Sequence, residues 1–476
     1  MPLVALIAAA AGMVWGILYA RRGSLVLGCI ALLVVGYVFG HAFWHTALGP
    51  LPLTLDRVML VGLLAAFVAQ CRWGRIHLRP LTGSDWLLAA FLAVLTISTL
   101  SSGTPDVVST TEGSPLWRLA MSFIAPAVLY LIARNAPFVR REWVGSLLVM
   151  SLLGVYLAVT ALAEITASWA FVFPRYIADP SLGIHFGRAR GPDLNSASLG
   201  ILLTVCLGCA WSALSHIRRS WQLALLAAMP LMAMGVFATF TRSTWLGLAA
   251  SGCTVGLLQV PRRWRLPAAG IGTCFAVLLA AALWGDVAAL KREGTASEAN
   301  HSVDQRKSFT YVSWQMFQDH PVWGVGFGRF YDRKLPYLSD RSQEFELESL
   351  RPLHHHNTLL SLLTETGMVG LAAFVALIVA WSRSAWSLVG DENVPAWVRS
   401  HGVLMLAALA SYLASALFHD LTLLPMQQWL LFLLAGLTLN LRSNAGRERL
   451  GAIAGARSEL SIGLANNSLT SRLAAT

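Results

Sequence analysis

Trp143-Val-Gly-Ser-Leu-Leu-Val-Met-Ser-Leu-Leu-Gly-Val-Tyr-Leu-Ala-Val-Thr-Ala-Leu-Ala163 runs for 21 residues without a charged side chain. Arg140 and Arg141 stand just before it and Glu164 closes it. At 1.5 Å per residue, a helix of that length covers about 30 Å, the hydrocarbon thickness of a bilayer. The stretch therefore reads as a transmembrane helix. Working outward, similar apolar runs occupy Leu3–Ala20, Ser24–Trp44, Val58–Cys71, Trp86–Leu100 and Leu119–Ala133 on the N-terminal side. On the C-terminal side come Ala197–Ile217, Trp221–Thr239, Thr244–Val260, Pro267–Trp284, Met368–Trp381, Val403–Phe418 and Met426–Leu441. Several are short, so the expectation is an all-α integral membrane protein with about 12–13 transmembrane helices.

Composition agrees. Of 476 residues, 56% are hydrophobic and only 12% charged, about half the charge of a soluble domain. That excludes a soluble enzyme, a disordered chain and a fibrous one. The net charge of +11 would suggest nucleic acid in a soluble protein. Here the arginines gather at the ends of apolar runs, and at every second junction: Arg21 and Arg22, Arg72 to Arg79, Arg134 to Arg141, Arg218 and Arg219, Arg262 to Arg265, Arg383 and Arg399, Arg442 to Arg449. By the positive-inside rule these junctions face the cytoplasm, and no nucleic-acid partner is implied. The six cysteines lie in or beside apolar runs and read as small packing residues.

The other junctions then face outward, and one dominates. Residues 285–357 carry ten of the 24 carboxylates and nine Lys and Arg, the composition of a folded external subdomain. Within it Asp304–Asp319 reads as a helix with Phe309, Val312 and Met316 on one face, followed by a turn at Gly324, Gly326 and Gly328. The expected organisation is a first helix bundle over 1–284, the external subdomain over 285–357, C-terminal transmembrane helices over 358–442, and a polar, disordered cytoplasmic tail over 443–476.

Charges on the outward side of the bilayer are costly and point to function. Arg242 is wedged between two apolar runs in Thr239-Phe-Thr-Arg-Ser-Thr-Trp245. It reads either as a snorkelling anchor or as an anion ligand. The second is favoured because Ser243 and Thr244 could cap the next helix and leave its amides facing the same site. Arg188 and Arg190 precede another outward helix; two residues apart, they share a side of an extended chain. They read as a solvated pair or as ligands. Arg306, at the head of the external helix, is either a surface charge or a third ligand. His354, His355 and His356 lead into the next span. A metal site from His354 and His356 lacks a carboxylate or cysteine at ligand spacing. A general base at the membrane surface suits an imidazole with a pKa near 6.5.

Taken in order, Thr241-Arg242-Ser243, Arg306, Asp319-His-Pro-Val-Trp-Gly-Val-Gly-Phe-Gly328, His356-Asn357-Thr-Leu-Leu360 and Glu365-Thr-Gly-Met-Val-Gly370 resemble the O-antigen ligase and polymerase superfamily of bacterial envelope glycosyltransferases. The likeness spreads over roughly residues 180–375. It implies a multi-span C-type glycosyltransferase fold with one large periplasmic loop. It also implies glycan transfer from undecaprenyl diphosphate on the periplasmic side of the inner membrane; by length and loop placement the chain most resembles the ligase that joins O-antigen to lipid A–core, so lipid A–core is the expected acceptor. In that reading His356 is the catalytic base, with His354, Asn357 and Asp420 supporting, and Arg242, Arg306, Arg190 and Arg188 hold the diphosphate. Diphosphate is a good leaving group, so neutralising its charge is the main demand, and guanidinium forks can meet it. No Asp-x-Asp metal motif is present, so no cofactor or metal is expected, and direct displacement would invert the anomeric centre. An O-antigen polymerase and a protein O-oligosaccharyltransferase are the alternatives within the superfamily. A polysaccharide or lipid flippase, the alternative of another class, would instead line a route through the bilayer centre with charge.

Overall fold

The computed structural model describes residues 21–48, 51–103, 114–260, 262–264, 296–340, 342 and 346–445, with isolated positions 16, 19 and 267. The expected spans Leu3–Ala20 and Pro267–Trp284, the first residues of the external segment and the tail from 446 onward lie outside the described residues. Among the described residues the chain is all-α apart from one two-stranded hairpin, β1 (His45–Leu48) and β2 (Leu51–Thr54). Among the described residues, seven helices are long and apolar enough to cross a membrane. Four more, Leu55–Arg72, Arg242–Gln259, Ala396–Ala416 and 425–445, coincide with shorter expected spans.

In chain order the principal helices are α1 (Leu25–Phe43), α2 (Leu55–Arg72), α3 (Gly83–Ser101), α4 (Pro115–Asn135), α5 (Arg140–Ile165), α6 (Ser196–Leu214), α7 (Arg219–Ala238), α8 (Arg242–Gln259), α9 (Ala296–Asp319), α10 (Thr358–Val389), α11 (Ala396–Ala416) and α12 (425–445). α6 forms the centre, buried on nearly every side and packed against α5, α7, α8 and α11. Lipid is as apolar as leucine, so small residues that let backbones approach hold such helices together. At Gly200 an added Cβ would lie 2.6 Å from the Thr244 side chain, and at Gly154 it would meet Cys206 at 2.6 Å. α7 lies at the periphery and turns Trp221, Leu223, Met234 and Phe237 outward.

At the end of the bundle opposite the histidines, Arg134 is buried and paired with Asp85 at 2.7 Å, and Tyr130 donates to the same carboxylate at 2.7 Å. The sequence read Arg134 as a topology-setting surface charge; in the structure it also ties α4 to α3.

α10 is broken at Gly367, where φ is +63°. The freed carbonyls are taken by the glycine-rich turn. Val325 N–H donates to the Thr364 carbonyl at 3.0 Å and Gly326 N–H to that of Glu365 at 2.9 Å, while Met368 N–H donates back to Pro321 at 2.9 Å. Gly324, Gly326 and Gly328 all have positive φ, as so tight an approach requires. Two separate sequence motifs thus form one joint. Beyond it, Phe309, Val312 and Met316 of α9 are buried with Phe330, Leu338, Leu347 and Leu350 in a small core of their own. α9 starts eight residues earlier than the apolar stripe suggests, at Ala296.

Candidate functional site

The site is built around the N-terminus of α10. Asn357 is its N-cap, accepting from the amides of Leu359 and Leu360 at 2.9 and 3.0 Å. Its own amide donates to the Leu417 carbonyl at 2.9 Å. Thr358 donates to the His419 carbonyl at 2.8 Å and accepts from Leu421 N–H at 2.9 Å. The cap and the 417–421 turn therefore fix the backbone that carries His356.

The three histidines point three ways. His355 is buried against Phe330, with ring centroids 3.7 Å apart. His354 stacks on Tyr331 at 4.8 Å and His356 meets Phe309 edge-on at 4.9 Å. His354 and His356 keep solvent access, as alternation in an extended segment requires. Lys334 is buried and donates to the Leu353 carbonyl, holding the run from behind; burial pushes its ammonium down to about 8.

Around His356 gather groups from distant segments. His419 and His185 lie near it, and Arg306 stands close enough to repel a proton on it. The Arg306 guanidinium lies over Phe418 at 5.6 Å. Ser243 shares a hydrogen bond of 2.7 Å with His419 Nε2, and its neighbour Arg242 is exposed at the start of α8. The expected capping by Ser243 and Thr244 is not what forms. Thr241 is the N-cap, Ser243 serves His419, and Thr244 donates back to the Thr241 carbonyl at 2.8 Å.

Arg188 and Arg190 part company. The chain turns just before and after them, at Gly187 and Gly191 with φ of +93° and +60°. Arg190 is buried, and its guanidinium donates to the carbonyls of Ile177, at 2.9 Å, Asp179, at 2.6 Å, and Leu182. It holds a loop together, which corrects its expected grouping with the diphosphate ligands. Arg188 remains half-exposed beside His185.

Asp420 is committed elsewhere than expected. It pairs with Arg118 at 2.9 Å and accepts from Thr422 Oγ1 at 2.6 Å, acting on His356 through its charge, with no hydrogen bond to that ring among those described. Arg118 went unnoticed in the sequence because it sits at the edge of an apolar run. Its guanidinium also donates to both Glu365 oxygens at 3.0 and 2.9 Å and to Ser361 at 3.0 Å, and lies over Phe327 at 4.7 Å. An arginine at the fourth position of a membrane helix is the signal that would have found it.

The electrostatic surroundings favour the neutral form of the histidines. Loss of water around the His356 imidazolium lowers its pKa below the usual value, Asp420 opposes that, and Arg306 reinforces it. Burial takes His354 and His419 to about 4. A neutral imidazole beside guanidinium groups can accept a proton while an anion forms next to it. Among the described residues no group of three or more His, Cys, Asp or Glu is arranged to hold a metal ion.

No curated protein matches the chain. Residues 227–375 match the sequence model of a family described as O-antigen ligase. That stretch contains Arg242, Arg306, the glycine-rich turn, His354 to Asn357 and the break at Gly367. The chain is thus a multi-pass, all-α membrane protein, and residues 227–375 of it are similar to the O-antigen ligase family.

Proposed function

We propose that the protein is an O-antigen ligase, an inverting, metal-independent glycosyltransferase that moves a glycan from undecaprenyl diphosphate to a sugar hydroxyl of lipid A–core. In this reading the histidine end of the bundle faces the periplasm, and the inner membrane supplies the carrier lipid. What supports the reading is the meeting of His356 with Arg306 and His419, with Ser243, the neighbour of Arg242, on His419 and with Arg188 beside His185, from segments far apart in the chain. His356 takes the proton of the acceptor hydroxyl as its oxygen bonds to the anomeric carbon. The bond from that carbon to the diphosphate oxygen breaks on the opposite face, and the electron pair leaves with the carrier diphosphate. Arg242 and Arg306, with Arg188, neutralise that growing charge, and Asn357 holds the backbone of the base in place.

The test is transfer by purified protein in detergent, offered lipid A–core, a second carrier-linked glycan and a pilin in parallel. Glycan joined to lipid A–core is the expected result. Lengthened carrier-linked chains would make the protein a polymerase, and a modified pilin a protein transferase.

A further inference from the structure

A cavity of about 360 Å³ opens beside Arg118 at the histidine end of the bundle, within the range of about 300–1,000 Å³ of small-molecule sites. Its lining mixes Trp117, Met121 and Met426 with His41, Asp56, Asp193, Arg118 and Arg57, whose guanidinium lies over the Trp117 ring at 4.5 Å. The walls are tied to one another. Tyr37 donates to the Met426 carbonyl at 2.8 Å, and Ser122 to that of Thr422 at 2.6 Å. Tyr176 donates to the carbonyls of Phe39 and Pro192 at 2.5 and 2.7 Å. That last bond clasps the loop before α6 to the kinked end of α1, where an added Cβ on Gly40 would lie 2.3 Å from the Tyr176 oxygen. The site is therefore preformed and loses little order on binding.

We propose that this cavity binds a pyranose ring of the glycan substrates, a reading that rests on the transfer proposed above. Asp56 and Asp193 offset Arg57 and Arg118, so the lining has no excess of positive charge to favour a phosphate, and charged groups disfavour an acyl chain. A sugar has apolar C–H faces for Trp117 and the methionines, and hydroxyls that donate to Asp56 and Asp193. Burial raises the Asp193 carboxyl and Asp56 pushes it the same way, while Ser198 and His41 pull it down. Arg118 and the loop residue Gly183 both line the cavity. Arg118 reaches on to Glu365 and Asp420, and the loop leads two residues later to His185 beside His356. A ring held here thus lies next to the transfer site.

The test uses the full chain in detergent, with Asp193→Asn and Asp56→Asn as isosteric variants and Trp117→Ala as a third. Donor and acceptor are varied separately, and binding of lipid-free core oligosaccharide and of free O-antigen repeat oligosaccharide is measured by calorimetry. Losing a hydrogen bond to a charged group should raise KM for one glycan substrate about ten- to hundredfold with kcat nearly unchanged. A rise confined to the acceptor assigns the cavity to the acceptor glycan, and a rise confined to the donor assigns it to the carrier-linked glycan; either supports the proposal. Unchanged KM and unchanged binding in all variants that elute as the wild type does would overturn it. If the wild type transfers nothing yet the variants bind oligosaccharide more weakly, the cavity stands and the transfer reading falls.

Discussion

At the scale of single residues, everything turns on a neutral imidazole among guanidinium groups. His356→Ala should lower transfer by about 10²–10⁴ in rate at pH 7, with expression unchanged, since the ring packs only edge-on against Phe309. Because its pKa is depressed, the acid limb of the rate profile should fall below the usual 6.5 and the rate should be flat near pH 7. Arg306 lowers that pKa, so Arg306→Gln should move the limb to higher pH as well as reduce turnover; a limb that stays fixed would place the base elsewhere. For Arg242, lysine should rescue little. A planar fork donates two parallel hydrogen bonds to a diphosphate, whereas lysine is a flexible point charge. Both Arg242→Lys and Arg242→Ala should lose about a hundredfold or more, and a lysine variant with near-normal turnover would reduce Arg242 to a membrane-surface anchor. Residue identity made these groups legible, as did Asn357, whose place ahead of an apolar helix marks a cap. Direction was not legible. Two arginines two apart share a side only where the chain between them stays extended and its surroundings are alike, and here Arg190 is buried while Arg188 is half-exposed.

At the scale of elements, the joint between the glycine-rich turn and α10 carries the site. At Gly367 an added Cβ would lie 2.2 Å from the Val322 carbonyl oxygen, and φ there is +63°. Gly367→Ala should cost more than about 1 kcal/mol and lower activity through the displaced Asn357 cap. Thermal unfolding together with turnover checks this, and a stable, fully active variant would show that the joint is incidental. Arg118→Leu leaves Glu365 and Asp420 buried without their cation and should cost about 3–5 kcal/mol. Proteolysis of the detergent-solubilised variant would register it, and wild-type resistance would contradict it. Periodicity foretold the Phe309, Val312 and Met316 face of α9, and the glycine triplet foretold a turn. What the turn docks against was hidden. The partners of Arg118 lie 247 and 302 residues away, and no local pattern encodes a pairing at that distance.

At the scale of the whole molecule, the apolar runs and their arginine borders made the membrane class plain, because the bilayer imposes length and charge rules on each helix separately. The arrangement of the helices was not plain. It depends on close approaches such as Gly200 against Thr244 and Gly154 against Cys206, which composition does not rank. The same arrangement brings five separate segments to one end of the bundle, and the proposed mechanism draws on them. The most direct test follows radiolabelled glycan from undecaprenyl diphosphate to lipid A–core with purified wild type and His356→Ala side by side, each in EDTA. The account predicts that the wild type releases one carrier diphosphate per glycan joined, undiminished by chelation, and that His356→Ala releases almost none. Transfer that stops in EDTA and returns with magnesium or manganese, or that persists in His356→Ala, would contradict it.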